Sequence, residues 1–213
     1  MNSWDRSDSY KTYICDMETQ ETADFDFFVG ENDQKLMESL AKGGPVHAKY
    51  RRMMPVWVTI TAPLYWWKEF DTYKVGTVAN SCSTMHKIHA KEFTLDDFSH
   101  EHMRPRTLKR LMDDIEELNF WRDIYLNGGM VDNDDGTAEV FEPRSMDAWR
   151  QMIQLLGSNY NQKRTVFLPY EDLANAPPWR RHHKLPEWHT FCDWAEELPY
   201  SELITMKFEE NND

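Results

Sequence analysis

The sequence predicts a packed globular protein that combines β-strands with α-helices. Three observations predict this class: 40% of the 213 residues are hydrophobic and 14% aromatic, one segment alternates as a strand does, and several others have helical periodicity. The length favours one domain over two independent ones. We therefore expect a single domain over residues 1–213, with a helical and hairpin insertion at about residues 100–144.

Two segments near the amino terminus predict the first elements. Closely spaced Tyr, Ile and Cys residues predict a short strand over residues 10–15, and apolar residues three or four apart predict a helix over residues 33–40.

Between residues 53 and 62, Val and Ile alternate with Trp and Thr, which is the period of a half-buried strand. This alternation is the clearest strand signal in the chain.

A helix is predicted directly after that strand. Pro63 suits the first helical position, and apolar residues follow at helical spacing over residues 64–74. Gly76 then interrupts the pattern, and residues 77–84 are small and polar, so we expect an exposed loop.

Helices dominate the second half of the predicted structure. Residues 106–126 alternate apolar and charged side chains with the period of a long amphipathic helix. Residues 132–136 are typical of a hairpin tip, and residues 145–156 predict a further helix that ends at Gly157.

The net charge and the hydropathy pattern exclude two classes of partner. There are 24 Lys and Arg residues against 37 Asp and Glu residues, a net charge of −13, so we expect no general affinity for nucleic acid. No stretch reaches the roughly 18 uncharged apolar residues of a membrane span, and the first ten residues are unlike a signal peptide. We expect a cytoplasmic protein without a membrane partner, and the widely spaced Cys15, Cys82 and Cys192 predict reduced thiols.

Familiar nucleotide and metal motifs do not occur. The eight glycines form neither a dinucleotide fingerprint nor a phosphate loop. The loop at residues 132–136 resembles a calcium loop, but Val131 stands at the first ligand position, so we expect a solvated turn. The histidine pairs 86/89 and 100/102 have no third ligand at a suitable spacing, so we expect no metal site.

Two interpretations of the polar residues stay open. The basic clusters at residues 49–52, 163–164 and 180–184 either hold phosphate groups or pair with the many carboxylates at the surface. Cys82, close to His86 and Lys87, is either a reactive nucleophile or, as the pattern favours, an inert packed cysteine.

A family resemblance begins in residues 45–86, where Pro45 and then His47 precede a strand through Ile60 and a helix with Glu69, and residues 73–86 follow that helix. The segment is Tyr73-Lys74-Val75-Gly76-Thr77-Val78-Ala79-Asn80-Ser81-Cys82-Ser83-Thr84-Met85-His86. With one residue inserted at Ala79, it resembles the signature Arg-His-Arg-x-x-Ser-x-Asn-Glu-x-Ser-x-Arg-Tyr of the flavin-dependent thymidylate synthases. Lys74 matches the last Arg of the first triplet, Thr77 and Ser83 match the two Ser residues, and Asn80 matches the Asn. A weaker match at residues 163–169 resembles the family's Ala-Arg-x-x-Leu-Pro and places Arg164 at the Arg.

The resemblance implies a fold, an activity and a set of binding residues. The implied fold is α+β, an antiparallel sheet with packed helices, in a homo-oligomer that is a tetramer in the family. The implied activity is transfer of a one-carbon unit from methylenetetrahydrofolate to dUMP or a related pyrimidine deoxynucleotide, with FAD as cofactor and NADPH as a further co-substrate. The implied FAD-binding residues are His47, Tyr73, Lys74, Thr77 and Asn80, and the implied nucleotide-binding residues are Glu69, Ser81, Ser83 and Arg164. We expect Lys87, just after the segment, to bind the nucleotide as a substitute for a missing signature Arg.

The sequence departs from the family's motifs, whose positively charged positions hold phosphate groups in the family. Met85 and Ile204 stand where the family has Arg residues, and Ser81 replaces the signature Glu. Two rival hypotheses therefore stay open. The chain is either a non-catalytic relative that acts as a protein-interaction module through the helix over residues 106–126, or an enzyme with an altered substrate, such as a hydroxymethyl-forming nucleotide modifier.

Overall fold

The computed structural model describes residues 6–15, 22–73 and 76–205 of the chain. The strands are β1 (Tyr10–Cys15), β2 (Thr22–Phe28), β3 (Pro55–Pro63), β4 (Val78–Ser81), β5 (Gly129–Asp132), β6 (Ala138–Phe141) and β7 (Asn161–Pro169). The α-helices are α1 (Glu31–Lys42), α2 (Leu64–Phe70), α3 (Thr84–Lys87), α4 (Pro105–Asn127), α5 (Met146–Leu155), α6 (Tyr170–Asn175), α7 (Pro177–Arg180), α8 (Glu187–Glu196) and α9 (Glu202–Thr205). Two short 3-10 helices cover Ala48–Met53 and Leu95–Asp97.

The chain forms two compact units. The first unit comprises residues 1–56, 75–77 and 167–213, and the second unit comprises residues 57–74 and 78–166. The expected helix and hairpin of the 100–144 segment are present as α4, β5 and β6. A single domain with an insertion at that segment stays a prediction.

In the first unit, α1 packs against α9 and against the 3-10 helix Ala48–Met53. Met37, Tyr50 and Leu203 form a buried cluster, and the Tyr50 hydroxyl donates a hydrogen bond of 2.7 Å to the Met37 carbonyl. Asp33, in the first turn of α1, is buried and accepts hydrogen bonds of 2.6 Å from the Ser7 and Ser9 hydroxyls. A carboxylate in the first turn also favours the helix because of the positive end of its dipole.

The second unit has its main core between α4 and α5. Leu111, Ile115 and Leu118 project from α4 at helical spacing and are buried with Met152 of α5. Helix α4 begins with Pro105 in its first turn and ends at Gly128, whose φ of 74° favours glycine. Helix α5 begins after Ser145, whose hydroxyl accepts a hydrogen bond from the Asp147 amide. These residues confirm both predicted helices.

Strand β7 lies between β3 and β4 in a three-stranded sheet. Along β3 the exposure alternates as predicted, with Val58 and Ile60 more buried than Thr59 and Thr61. The hydroxyls of Thr59 and Thr165 lie 2.9 Å apart and form a hydrogen bond between β3 and β7. The hairpins β1–β2 and β5–β6 are antiparallel.

Two sequence predictions near this sheet are wrong. The helix predicted over residues 64–74 ends at Phe70, and Pro63 is the last residue of β3 rather than the first helical residue. The helix ends because the Thr72 and Tyr73 amides bond to the Glu69 and Phe70 carbonyls in a tighter turn. The loop predicted over residues 77–84 contains β4, which pairs with β7 although its side chains are exposed.

Among the helices that the structure describes, none combines the length and the apolar composition needed to cross a membrane.

Candidate functional site

A partly open cavity of about 590 Å³ lies within the second unit. Its wall is formed by the residues between β4 and α3, by α3 itself, by the segment that leads to the Leu95–Asp97 helix, and by the beginning of β7. The pairing of β4 with β7 brings these parts together, because the Cys82 amide donates a hydrogen bond of 3.0 Å to the Lys163 carbonyl. The cavity therefore depends on residues about 80 positions apart in the sequence.

The charged side chains of the cavity leave an excess of positive charge. Lys87, Lys91 and Lys163 line it together with Asp96 and Asp97, so the lysines exceed the aspartates by one. Lys91 forms an ion pair with Asp97. Lys87 and Lys163 form no ion pair with any other residue that the structure describes. These two lysines are therefore the cations available to a bound anion.

The Asp97 carboxylate is held by the chain itself. It accepts hydrogen bonds from the Thr94 amide at 3.0 Å and the Thr94 hydroxyl at 3.2 Å, besides its contact with Lys91. This capping arrangement starts the Leu95–Asp97 helix. Because the carboxylate is occupied, its charge is compensated within the wall of the cavity.

Two hydroxyl groups stand at the beginning of α3. The Ser83 hydroxyl caps the helix by accepting a hydrogen bond of 3.2 Å from the His86 amide. The Thr84 hydroxyl accepts a hydrogen bond of 3.0 Å from the Gln162 side chain. Both residues line the cavity, and each hydroxyl retains a proton to donate.

Arg164 holds Gln162 from behind the cavity wall. The Arg164 Nε donates to Gln162 Oε1 at 2.8 Å, and its Nη1 donates to Asp71 Oδ1 at 2.9 Å. The guanidinium carbon lies 4.4 Å from the ring centroid of Trp67, which is fully buried. Trp67 also donates from Nε1 to the Gln162 carbonyl at 2.9 Å. Both the backbone and the side chain of Gln162 are therefore fixed.

Tyr160 also lines the cavity. Burial raises the pKa of its hydroxyl, and the nearby Asp97 carboxylate and Cys82 side chain raise it further. The phenol therefore remains a neutral hydrogen-bond donor at physiological pH.

The structure brings only part of the predicted site together. Ser83 and Lys87 line the cavity, and Arg164 reaches it through Gln162. The other predicted residues of the second unit do not line it: Glu69, Tyr73, Asn80 and Ser81. His47 and Thr77 belong to the first unit, and Lys74 lies outside the described residues. The binding roles of all these residues stay predictions.

Several residues of the cavity were not predicted as site residues. Lys163 belongs to one of the basic clusters for which phosphate binding is an open interpretation, so its charge was a usable signal. Lys91, Tyr160 and Gln162 gave no such signal, because each is a single polar residue in an unremarkable segment. Only the pairing of distant segments places them on one wall.

The other two basic clusters, at residues 49–52 and 180–184, lie in the first unit. Unlike Lys163, each contains an arginine that forms an ion pair. Arg52 forms an ion pair with Glu171, and Arg181 bonds to two carboxylates of α8. Arg51 is 2% exposed, and its Nε and Nη2 have no hydrogen-bond partner among the described residues. The surface-pairing interpretation therefore applies to Arg52 and Arg181.

Asp172 of the first unit has an unusual acidity. Burial raises its pKa to about 6, and the neighbouring Glu171 adds to this shift, while Arg52 opposes it. One carboxylate oxygen, Oδ2, is buried without a hydrogen-bond partner among the residues that the structure describes. This group makes stability depend on pH.

Within the described ranges, no group of three His, Cys, Asp or Glu side chains is placed to hold a metal ion. The 132–136 loop is a turn in which Asp135 accepts hydrogen bonds from the Thr137 amide and hydroxyl.

Comparison with solved structures identifies a similar fold. A crystal structure of flavin-dependent thymidylate synthase ThyX from Helicobacter pylori, complexed with FAD and dUMP, has 11% sequence identity and a TM-score of 0.55. The match covers 84% of this chain and 85% of that chain. Another structure of Helicobacter pylori ThyX with FAD and dUMP has 10% identity and a TM-score of 0.53, and the match covers 83% of this chain and 85% of that one.

No protein-family model matches the sequence, and no curated protein matches it either. At identities of 10% and 11%, the structural likeness concerns the fold. The chain has an α+β fold of antiparallel sheet and packed helices, similar to that of ThyX, and the predicted fold class is confirmed.

Proposed function

We propose that this chain is a divergent thymidylate synthase-like protein that binds a pyrimidine deoxynucleotide in the cavity of the second unit. The observation that carries the proposal is the position of the cavity on a fold similar to ThyX. Ser83 and Lys87, which line it, belong to or directly follow the segment that resembles the family signature. The nucleotide is dUMP or a close relative, since dUMP is bound in both similar structures.

The donors of the cavity suit a phosphate group. A phosphate dianion is held best by cations and by hydrogen-bond donors that surround it. Lys87 and Lys163 supply the cations, and Ser83, Thr84 and Tyr160 supply hydroxyl groups. In a chain of net charge −13, a cavity with excess positive charge is also the place to which an anion is drawn.

The size of the cavity agrees with a nucleotide. Sites for small molecules typically have volumes of about 300 to 1,000 Å³, and this cavity has about 590 Å³. Apolar side chains of Ile88 and Phe93 also line the cavity and offer an apolar surface to a base.

FAD binding is proposed from the fold similarity, because FAD is bound in both similar structures. FAD would supply the redox chemistry of one-carbon transfer. Of the described residues predicted to hold it, Tyr73 and Asn80 belong to the second unit and offer an aromatic ring and an amide. The predicted cation for the pyrophosphate, Lys74, lies outside the described residues. Among the described residues, the cations placed to hold a phosphate group line the nucleotide cavity.

The remaining parts of the proposal follow from the family resemblance. The one-carbon donor is methylenetetrahydrofolate, the reductant is NADPH, the assembly is a homotetramer, and the compartment is the cytoplasm. Light scattering during size-exclusion chromatography tests the tetramer by mass.

The activity is tested in two steps. The visible absorption spectrum of the purified protein is recorded before and after FAD is added, and dTMP is then measured by mass spectrometry in mixtures with dUMP, methylenetetrahydrofolate and NADPH. The proposal predicts a flavin band and formation of dTMP, with Helicobacter pylori ThyX as positive control. A protein that binds neither FAD nor dUMP would contradict it.

A second candidate function is a protein-interaction module, favoured by one observation. Met112 and Phe120 of α4 and the paired Met130 and Val140 of the β5–β6 hairpin are large apolar side chains with 42 to 75% exposure. Exposed apolar groups of this kind mark contact surfaces in other proteins. Complementation of a thymidine-requiring strain separates the candidates, because growth requires the enzyme activity.

A further inference from the structure

A chain of hydrogen bonds leads from Asp71 into the cavity. Asp71 accepts from Arg164 at 2.9 Å, Arg164 donates to the Gln162 side chain at 2.8 Å, and Gln162 donates to the Thr84 hydroxyl at 3.0 Å. Gln162 also makes a longer contact of 3.4 Å with the Cys82 carbonyl. All these residues belong to the second unit.

The chemistry of Arg164 fixes the orientation of the Gln162 amide. A guanidinium group only donates hydrogen bonds, so the amide atom that faces it is the oxygen. The amino group of Gln162 must then face Thr84 and donate to its hydroxyl oxygen. The Thr84 proton cannot occupy the same direction, and the described residues offer it no other acceptor within hydrogen-bond distance.

We infer that Gln162 directs the Thr84 hydroxyl so that it donates its proton to an oxygen of an anion bound in the cavity, and that Arg164 is the positioning residue for Gln162. The ligand class is an oxyanion that accepts hydrogen bonds, which under the proposed function is the phosphate of a nucleoside monophosphate. Only the identification of the ligand as a nucleotide phosphate rests on the proposed function.

The position of Arg164 explains why it acts indirectly. Its side chain is only 16% exposed, and it contacts Asp71, Gln162 and the ring of Trp67 at once. A lysine has no planar fork with which to bond Asp71 and Gln162 together. The side chain that resembles a nucleotide-binding Arg of the family therefore positions Gln162 in this chain.

The test is a double-variant cycle on Gln162 and Thr84. In Gln162→Glu, both side-chain oxygens accept hydrogen bonds, so Arg164 keeps its partner while the Thr84 proton turns toward residue 162 and away from the ligand. We expect dUMP and inorganic phosphate to bind about tenfold to a hundredfold more weakly, the usual effect of one hydrogen bond to a charged group.

The variant Thr84→Val separates this effect from the added negative charge. If Gln162 acts through the Thr84 hydroxyl, Gln162→Glu weakens binding much less in the Thr84→Val background than in the wild type. A purely electrostatic effect has the same size in both backgrounds. Thr84→Ser keeps the hydroxyl and should bind within about threefold of the wild type.

Arg164→Lys tests the positioning role, with Arg150→Lys as matched control. Arg150 is also an arginine of the second unit in an ion pair, with Asp147, but it does not line the cavity. We expect Arg164→Lys to weaken binding of inorganic phosphate severalfold and Arg150→Lys to leave it unchanged. Circular dichroism and melting temperatures show that the variants are folded.

Calorimetric titration with dUMP, deoxyuridine and inorganic phosphate distinguishes the outcomes. Non-additive losses for both phosphate ligands, with unchanged binding of deoxyuridine, support the inference. Binding of inorganic phosphate with the same coupling, but no binding of dUMP, supports the inference and contradicts the proposed function. Additive losses, or an unchanged affinity of Gln162→Glu for both phosphate ligands, overturn the inference. In that case the proposed function stays intact if the wild type binds dUMP. A wild type that binds neither dUMP nor phosphate overturns both.

Discussion

Replacement of the two free cavity lysines should remove the preference for a phosphorylated ligand. Lys87 and Lys163 line the cavity without a carboxylate partner among the described residues, and both are exposed. A cation and an anion about 4 Å apart interact by about 1 kcal/mol in water and by about 4 kcal/mol near a protein surface. Because both lysines are exposed, the value in water applies, about 1 kcal/mol for each.

The expected result follows from these values. Lys87→Gln and Lys163→Gln should each weaken dUMP binding about fivefold, and the double variant about thirtyfold, since about 1.4 kcal/mol corresponds to a factor of ten. Deoxyuridine binding should change little, because the nucleoside carries no phosphate. The difference between the two ligands should also shrink at high salt, which screens exposed charges.

Isothermal titration of the wild type and the three variants measures these affinities. Lys109→Gln is the matched control, because Lys109 is an exposed lysine of the second unit that pairs with Asp113 on α4 and does not line the cavity. A double variant with wild-type affinity for dUMP would refute the assignment of the phosphate to these lysines, as would an equal loss for deoxyuridine.

Three further predictions concern stability and reactivity. Trp67→Phe should lower the free energy of unfolding by about 2 kcal/mol, because it removes part of a buried indole and its hydrogen bond to the Gln162 carbonyl. The control Trp57→Phe, at a site 68% exposed, should change that free energy by less than about 0.5 kcal/mol. Urea titrations measure both, and similar losses for the two variants would contradict the packing described. Since the pKa of Asp172 is raised from 3.8 to about 6 in the folded protein, the contribution of Asp172 to stability should fall as the pH rises from about 4 to 6. In melting experiments over that range, Asp172→Asn should therefore gain stability relative to the wild type. A wild type that gains stability relative to the variant as the pH rises would refute this prediction. Iodoacetamide should label the exposed Cys82 and spare the buried Cys192, because burial raises the pKa of the Cys192 thiol. Because Cys82 lines the cavity, dUMP should slow its labelling, which mass spectrometry measures. Labelling of Cys82 at an unchanged rate with dUMP bound would place the nucleotide elsewhere.

Elements with a strong local pattern were predictable from the sequence. The alternation of Val58 and Ile60 with Thr59 and Thr61 predicts β3, because one face of the strand is more buried than the other. The hydroxyl of Ser145 and the break at Gly128 mark helix ends through capping and backbone freedom. In these cases the physical cause lies within a few residues.

Strand β7 was not predicted because its first residues are polar. Gln162, Lys163 and Arg164 lack the apolar alternation of a typical strand, and the strand exists because β3 and β4 pair on both sides of it. Tertiary pairing therefore decides its conformation.

The site was only partly predictable for the same reason. The family resemblance indicates Ser83, and the loss of a signature Arg indicates the nearby Lys87; both line the cavity. Lys163, Tyr160 and Gln162 join them through strand pairing across about 80 residues, which no local pattern reveals. The bonds of Arg164 to Asp71 and Gln162 likewise depend on where β7 lies against α2 and the turn that follows it.

A crystal structure of the chain grown with dUMP tests the central claim most directly. The account predicts nucleotide in the cavity of the second unit, with phosphate oxygens within hydrogen-bond distance of Lys87 or Lys163 and of the Thr84 hydroxyl. Nucleotide bound elsewhere, or a cavity without nucleotide at dUMP concentrations that saturate the protein in solution, would contradict it.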